Sequence, residues 1–313
     1  MMLRLQSSWL LESVAEISSV DSVFFPFIHR FSVLNWLSRR EISLHVNSPI
    51  DSQAMLVRSW LDGSVGKFSE KNIHKFNQVI QRPFDIELNP FKSWKDRIFT
   101  TQQLDYLFYW REAAYEIEDE KQREIFWATV YQIISYWLSM KNAGLEANLQ
   151  PAEIMKLTLD SHGRFIVGRD GSLHITCLPL DEVAPGHSSL AVFPLLFEDD
   201  DGSENDAQSI FHAWFHGHAD QEQARRDIKH ALRKYLISFD RPRDFSLHAK
   251  LAALADVTVF AWSGLSLPPR LYEQELVRPL REAFSGLYKK SGLSLKAVDK
   301  SNDAYDYLLI FFN

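Results

Sequence analysis

Glycine is scarce in this sequence. There are 12 glycines among 313 residues, roughly half of the average usage of about 7%. That disfavours a site built on a glycine-rich phosphate loop. Cysteine is nearly absent, and the single Cys177 excludes an internal disulfide and a cysteine-rich zinc site. Long apolar runs are missing too. The longest, around Val23–Ile28 and Tyr307–Phe312, fall far short of the ~18 residues that a spanning helix needs. The Trp9-Leu10-Leu11 patch is interrupted by Glu12 and Glu16, unlike the apolar stretch of a signal peptide. The expectation is a cytoplasmic protein with no membrane partner. Positive charge is in deficit, with 34 basic against 41 acidic residues and a net charge of −7. Whole-chain attraction to nucleic acid is therefore lacking, and any such binding must be local. Gly-x-Ser-x-Gly, P-loop and His-Glu-x-x-His motifs are absent, which leaves hydrolase and NTPase readings without support.

What is present is an ordinary globular balance of 46% apolar and 24% charged residues, in a chain long enough for one large or two modest domains. Aromatic residues are plentiful, with 22 Phe, 10 Tyr and 9 Trp. Leu5–Ile17 has near-helical spacing, Val23-Phe24-Phe25 is a short buried-strand run, and Phe31–Leu37 is helical again. Ile42–Val46 reads as a second strand and Ala54–Leu61 as a helix. Strands alternating with helices predict βαβ units and a parallel sheet. From Thr100 to Lys141 the spacing predicts two helices joined near Glu118–Glu120, with Thr100 or Thr101 as a cap. Phe126, Val130, Ile133, Ile134, Trp137 and Leu138 form the apolar stripe of the second. A hairpin is expected around Arg169-Asp170-Gly171. Leu190–Phe197 and Asp256–Trp262 read as buried strands around an exposed acidic segment at Glu198–Asp206. Residues 207–237 look helical, a further helix runs to about Ala255, and Pro268-Pro269 opens another through about Tyr288. Leu293–Val298 and Tyr305–Phe312 form a terminal hairpin.

This order resembles the Rossmann-like fold of class I S-adenosylmethionine-dependent methyltransferases, and more closely the Dam-like adenine-specific DNA methyltransferases. The first strand of that family ends in Asp-Pro-Phe-x-Gly-x-Gly, and here the same place reads Phe25-Pro26-Phe27-Ile28-His29-Arg30-Phe31. Its second strand ends in Asn-Asp, and here in Asn47-Ser48. Its catalytic strand ends in Asp-Pro-Pro-Tyr, and here Leu190–Val192 leads into Phe193-Pro194-Leu195-Leu196. The resemblance implies a cofactor cradle at Pro26, Phe27, His29, Asn47 and Ser48, and a catalytic motif at Phe193–Leu196. The departures are physical. Glycine lets backbone approach a cofactor at positive φ, whereas His29 and Phe31 carry bulky side chains. Phe25 or Ser48 stands where an acid would bind polar cofactor groups. Phe193 cannot accept hydrogen bonds from an adenine amino group, and Leu196 replaces the aromatic ring that stacks on a flipped base.

The expected fold is thus α/β, a Rossmann-like methyltransferase-type domain over 1–62 and 160–313, with a mostly helical insert at 63–159. The expected function is that of a catalytically degenerate, nucleic-acid-binding or partner subunit of DNA modification or defence. No cofactor is expected, S-adenosylmethionine being bound only if its pocket survives. Two rivals stand beside this reading: an active divergent adenine methyltransferase, and an α/β protein–protein interaction module. Between 225 and 250 eight basic residues face three acidic ones. Arg225, Arg226, Lys229, Arg233 and Lys234 are the candidate phosphate contacts, against the ordinary alternative of a solvated face. Tyr106, Phe108, Tyr109, Trp110 and Tyr115 crowd one helix, in the insert that helps contact DNA in the Dam-like family. Core packing accounts for at least half of them. His212, His216 and His218 have a spacing that can grip a metal, with a further ligand from the acidic run upstream. Packing or surface is the usual place of histidines on such a helix, so no metal is expected. Cys177 is expected to be a buried, inert thiol.

Overall fold

The computed structural model describes residues 20–27, 42–61, 69–77, 88–147, 149–157, 172–197, 206–233, 236–237, 245–264, 273–299 and 304–312. The helices expected at 5–17 and 31–37, the first arm of the hairpin near 170, and most of the acidic segment at 198–206 lie outside them. The elements run β1 (Ser22–Phe25), β2 (Ser43–Asn47), α1 (Asp51–Leu61), α2 (Glu70–Asn77), α3 (Thr101–Tyr115) and α4 (Glu120–Asn142). They continue through β3 (Leu173–Thr176), β4 (Ser188–Pro194), β5 (Leu196–Phe197), α5 (Asp206–His216), α6 (Gln221–Leu232) and β6 (Leu236–Ile237). The last are α7 (Ser246–Ala252), β7 (Ala255–Gly264), α8 (Arg278–Phe284), β8 (Lys290–Asp299) and β9 (Ala304–Phe312). Among the described residues no helix is long and apolar enough to cross a membrane.

The protein is mixed α/β, and its chain divides into two compact units. One comprises Met1–Pro49, Gly168–Asp201 and Leu232–Asn313. It holds a seven-stranded, mostly parallel sheet in the order β3-β2-β1-β4-β7-β9-β8. The central strands are buried runs of aromatic and β-branched residues, as parallel strands covered on both faces must be. Val23, Phe24, Leu190, Ala191, Val257 and Val259 are all buried. β1 and β4 are cross-tied at their amino ends. Ser189 Oγ donates to the Ser22 carbonyl at 2.7 Å, and Ser22 Oγ accepts from the Ser189 amide at 2.9 Å. The parallel run ends at β9, which pairs antiparallel with both β7 and β8. Phe260, Phe284, Phe311 and Tyr288 form one ring cluster beside it. The Tyr288 hydroxyl donates to the Ala252 carbonyl and sits 2.7 Å from the buried Thr258 hydroxyl.

The other unit comprises Ile50–Val167 and Gly202–Ala231 and is helical where described. Thr100 caps α3 in a reciprocal box with Gln103. Asp119 caps α4. The stripe Phe126, Val130, Ile133 and Ile134 is completely buried. Trp110 and Trp137 stack at 6.0 Å, and Trp214 Nε1 donates to the Leu107 carbonyl.

Several expectations are corrected. The segment at 51–61 and the helices α5 and α6 group with the helical unit rather than with the expected sheet domain of 1–62 and 160–313. Their apolar faces find partners there. Arg58 pairs with Glu124 of α4 at 2.7 Å, and Phe211 and Phe215 pack edge-on against Tyr131 and Trp127. The helix expected over 207–237 is broken after His216 by Gly217, at φ +79°, a backbone region open to glycine. It ends at Leu232, and Leu236–Ile237 pairs as a strand with β5. The helix expected to reach Ala255 stops at Ala252, because Ala255 already belongs to β7. The segment before Tyr288 is a π-turn at Glu273–Val277 followed by the short α8. β3 pairs parallel with β2. Cys177 lies just beyond β3 and is exposed, because the strand that would have buried it ends at Thr176.

Within β2, His45 packs against Phe24 at 5.1 Å and edge-on against His174 at 4.7 Å. Burial, then the neighbouring His174, pushes its pKa down from 6.5 to about 4. The unfolded chain therefore binds this proton before the folded chain does. The stabilising difference is present above pH 6.5 and is lost as pH falls toward about 4. The melting temperature of the wild type should drop more steeply across that range than that of His45→Gln. Parallel curves in a thermal melt series would contradict this.

Candidate functional site

β1, β2 and β4 end side by side, because β1 pairs parallel with both of the others. Phe25, Pro26 and Phe27 leave β1, Asn47 and Ser48 leave β2, and Phe193, Pro194 and Leu195 leave β4. Three of the expected motifs thus converge on one sheet edge. His29 lies outside the described residues, and Leu196 opens β5. The side chains at this edge are buried: Phe27, Asn47 and Ser48 are 0% exposed, Phe193 2% and Leu195 4%.

Asn47 holds the edge together. Its Nδ2 donates to the carbonyls of Pro26 and Leu178, both at 3.0 Å. Its Oδ1 accepts from Thr176 Oγ1 at 2.8 Å and from the Leu178 amide at 3.1 Å. Two donors and two acceptor lone pairs are the whole capacity of a side-chain amide. Asn47 is therefore a staple between the end of β1 and the end of β3 with the residues after it, its polar atoms engaged by backbone and by the Thr176 hydroxyl. Phe193 stacks on Phe260 at 5.1 Å and tilts against His248 at 5.6 Å. Its ring is core where the resemblance implies a hydrogen-bond acceptor. Neither Phe, Pro, Leu, Ser nor a saturated Asn can exchange a proton near neutral pH.

A second constellation lies in the helical unit. His212 and His216, one turn apart on α5, both face Asp51, the first residue of α1. His216 Nε2 is 3.2 Å and His212 Nδ1 3.9 Å from Asp51 Oδ1. One ligating atom from each of the three residues lies within 4.8 Å of the others. The Ser52 amide donates to Asp51 Oδ1 at 2.7 Å, and Ser52 Oγ is 2.9 Å from His212 Nδ1. Burial, then His216, pushes His212 down to about 4, so its ring is neutral near pH 7. The hydrogen bond to Asp51 raises His216. Burial opposes ionisation of Asp51, yet the bond and charge of His216 hold its carboxyl below the usual range. His218 stacks on His216 with ring centroids 6.5 Å apart and is not one of the three. The expected trio of histidines is thus corrected to two histidines and Asp51. Gly217 turns the chain, which carries His218 off the helical face shared by His212 and His216. The sequence signal for Asp51 was faint, an acid opening a helix 161 residues before His212.

The basic helix α6 is more balanced than its sequence suggests. Arg225 pairs with Glu222 at 2.7 Å, and Arg226 donates to Gln223 Oε1. Arg226, Lys229 and Arg233 are exposed, while Arg225 is half-buried. Lys234, Arg241 and Arg243 lie outside the described residues. Of the crowded rings on α3, Trp110 is buried in the core, Tyr106, Phe108 and Tyr109 are half-buried, and Tyr115 is exposed under Arg111.

Removing the Asn47 amide strands the buried Pro26 carbonyl and the part-buried amide and carbonyl of Leu178. Asn47→Ala should cost about 3 kcal/mol in urea unfolding. Asn47→Asp should also destabilise at neutral pH, since a carboxylate would face two carbonyl oxygens. Losses under about 0.5 kcal/mol for both variants would refute the staple. No family model matches this sequence, and no curated protein shows significant similarity to it.

Proposed function

We propose that this chain is a catalytically degenerate, methyltransferase-like protein that keeps a Rossmann-like sheet as scaffold and acts as a nucleic-acid-binding subunit. Three features support the scaffold reading. The parallel strands follow the order β3-β2-β1-β4-β7, which matches 3-2-1-4-5 of the doubly wound order. The terminal antiparallel hairpin stands where the methyltransferase resemblance implies one. The expected motif positions fall on the carboxyl ends of neighbouring strands.

The observation that carries the loss of catalysis is the chemistry of that edge. In doubly wound sheets, ligands bind outside the carboxyl ends of the strands where the order reverses. Here that point lies between β1 and β4. The two strands end in buried Phe25-Pro26-Phe27 and in Phe193-Pro194-Leu195, of which Phe193 and Leu195 are buried, and Asn47 is spent on neighbouring backbone and the Thr176 hydroxyl. A cofactor there would meet apolar side chains in place of acceptors for its hydroxyl and amino groups. Burying those groups without partners costs about 1–3 kcal/mol each.

Nucleic-acid binding rests on α6. Arg226, Lys229 and Arg233 are spaced by three and four residues and are exposed. In a chain of net −7 they offer a local phosphate contact. Calorimetric titration with S-adenosylmethionine should give no one-site binding, and a clear one-site isotherm would overturn the degenerate reading. A short DNA duplex should bind at low salt, with log K falling against log salt at a slope of about −3 for three contacts. Arg226→Glu with Lys229→Glu should remove about two units of that slope. No retention of DNA at low salt, or a slope unchanged in the double variant, would overturn the nucleic-acid reading.

A further inference from the structure

We propose that Asp51, His212 and His216 form a zinc site that ties the start of α1 to the last turn of α5, independently of any role of the sheet. A plain ion pair would need only His216 and Asp51. A second imidazole, that of His212, approaches the same carboxylate oxygen, with the two rings 4.5 Å apart. Two imidazoles and a carboxylate converging on one point is a donor set for a transition ion. Magnesium and calcium prefer all-oxygen shells. Residues four apart on a helix share one face, so α5 presents both nitrogens together.

The distances fit a small tetrahedral ion. Zinc–nitrogen and zinc–oxygen bonds of about 2.0–2.2 Å place neighbouring ligand atoms roughly 3.4 Å apart. The two separations from Asp51 Oδ1, 3.2 and 3.9 Å, bracket that value. Ser52 borders the arrangement. Its amide holds the same carboxylate oxygen, and its hydroxyl lies 2.9 Å from His212 Nδ1, marking where that nitrogen offers a hydrogen-bonding or ligating direction. Binding exchanges the hydroxyl contact for a metal–nitrogen bond. Asp51 and His216 reach solvent while His212 is buried. A water therefore completes the fourth position from outside. Asp227 adds a further negative field at both histidines, and Arg111 opposes it at His216.

The test is a competition titration of the full chain with zinc against a chromophoric chelator, with thermal melts alongside. One equivalent of zinc should bind with micromolar or tighter affinity and raise the melting temperature by several degrees. His216→Asn and Asp51→Asn should each weaken zinc at least tenfold, while His218→Ala should leave it unchanged. His212→Ala opens a cavity and can fail to fold, so the two surface variants carry the test. Zinc affinity untouched by both Asp51→Asn and His216→Asn would overturn the proposal. So would equal binding of magnesium, absence of a one-equivalent site, or a tenfold loss in His218→Ala.

Discussion

A side-chain amide shut away from water has two N–H donors and two oxygen lone pairs to satisfy, and each one left over costs free energy. Asn47 satisfies all four within one short stretch of the sheet unit. Its pairing with the Leu178 amide and carbonyl adds a rung where the β2–β3 ladder stops, and its bond to Pro26 fastens the exit of β1. The carboxyl edge of the sheet is thereby closed by hydrogen bonds on one strand end and by rings on the next. Phe193, Phe260 and His248 continue that closure beyond β4. An edge built this way stabilises its own fold.

Much of the sheet was legible because its strands are short apolar runs with clear stops. Val23–Phe25, Asp256–Trp262 and the terminal pair all stand where the hydrophobic pattern put them, while the expected Leu190–Phe197 run is split, β4 ending at Pro194 and Leu196–Phe197 pairing with β6. The cap at Thr100 was equally open to reading, since a capping residue acts on backbone only three positions away. Membership of α1 was not legible, because which helix an apolar face meets is a long-range fact. The exposure of Cys177 and the two-residue β6 escaped for a related reason. Each depends on where a neighbouring strand ends.

The candidate sites divide the same way. Pro26, Asn47 and Pro194 could be placed at strand ends from the sequence, but the saturation of Asn47 needed the position of Leu178, 131 residues away. His212 and His216 were visible as a helical pair. Their third partner was not, because Asp51 is distant in sequence and close only once α1 packs with the helical unit. The Asp–His cluster and the exposed cations Arg226 and Lys229 belong to that unit. The sheet edge where the expected motif positions fall is core among the described residues.

The most direct test of that account is native-state hydrogen exchange at the Leu178 amide, whose acceptor is Asn47 Oδ1. A closed edge predicts that this amide exchanges only when the sheet unit unfolds, with protection equal to that of the central β4 and β7 amides. Rapid exchange at Leu178 while β4 and β7 stay protected would mean that the edge opens to solvent, and would contradict the account.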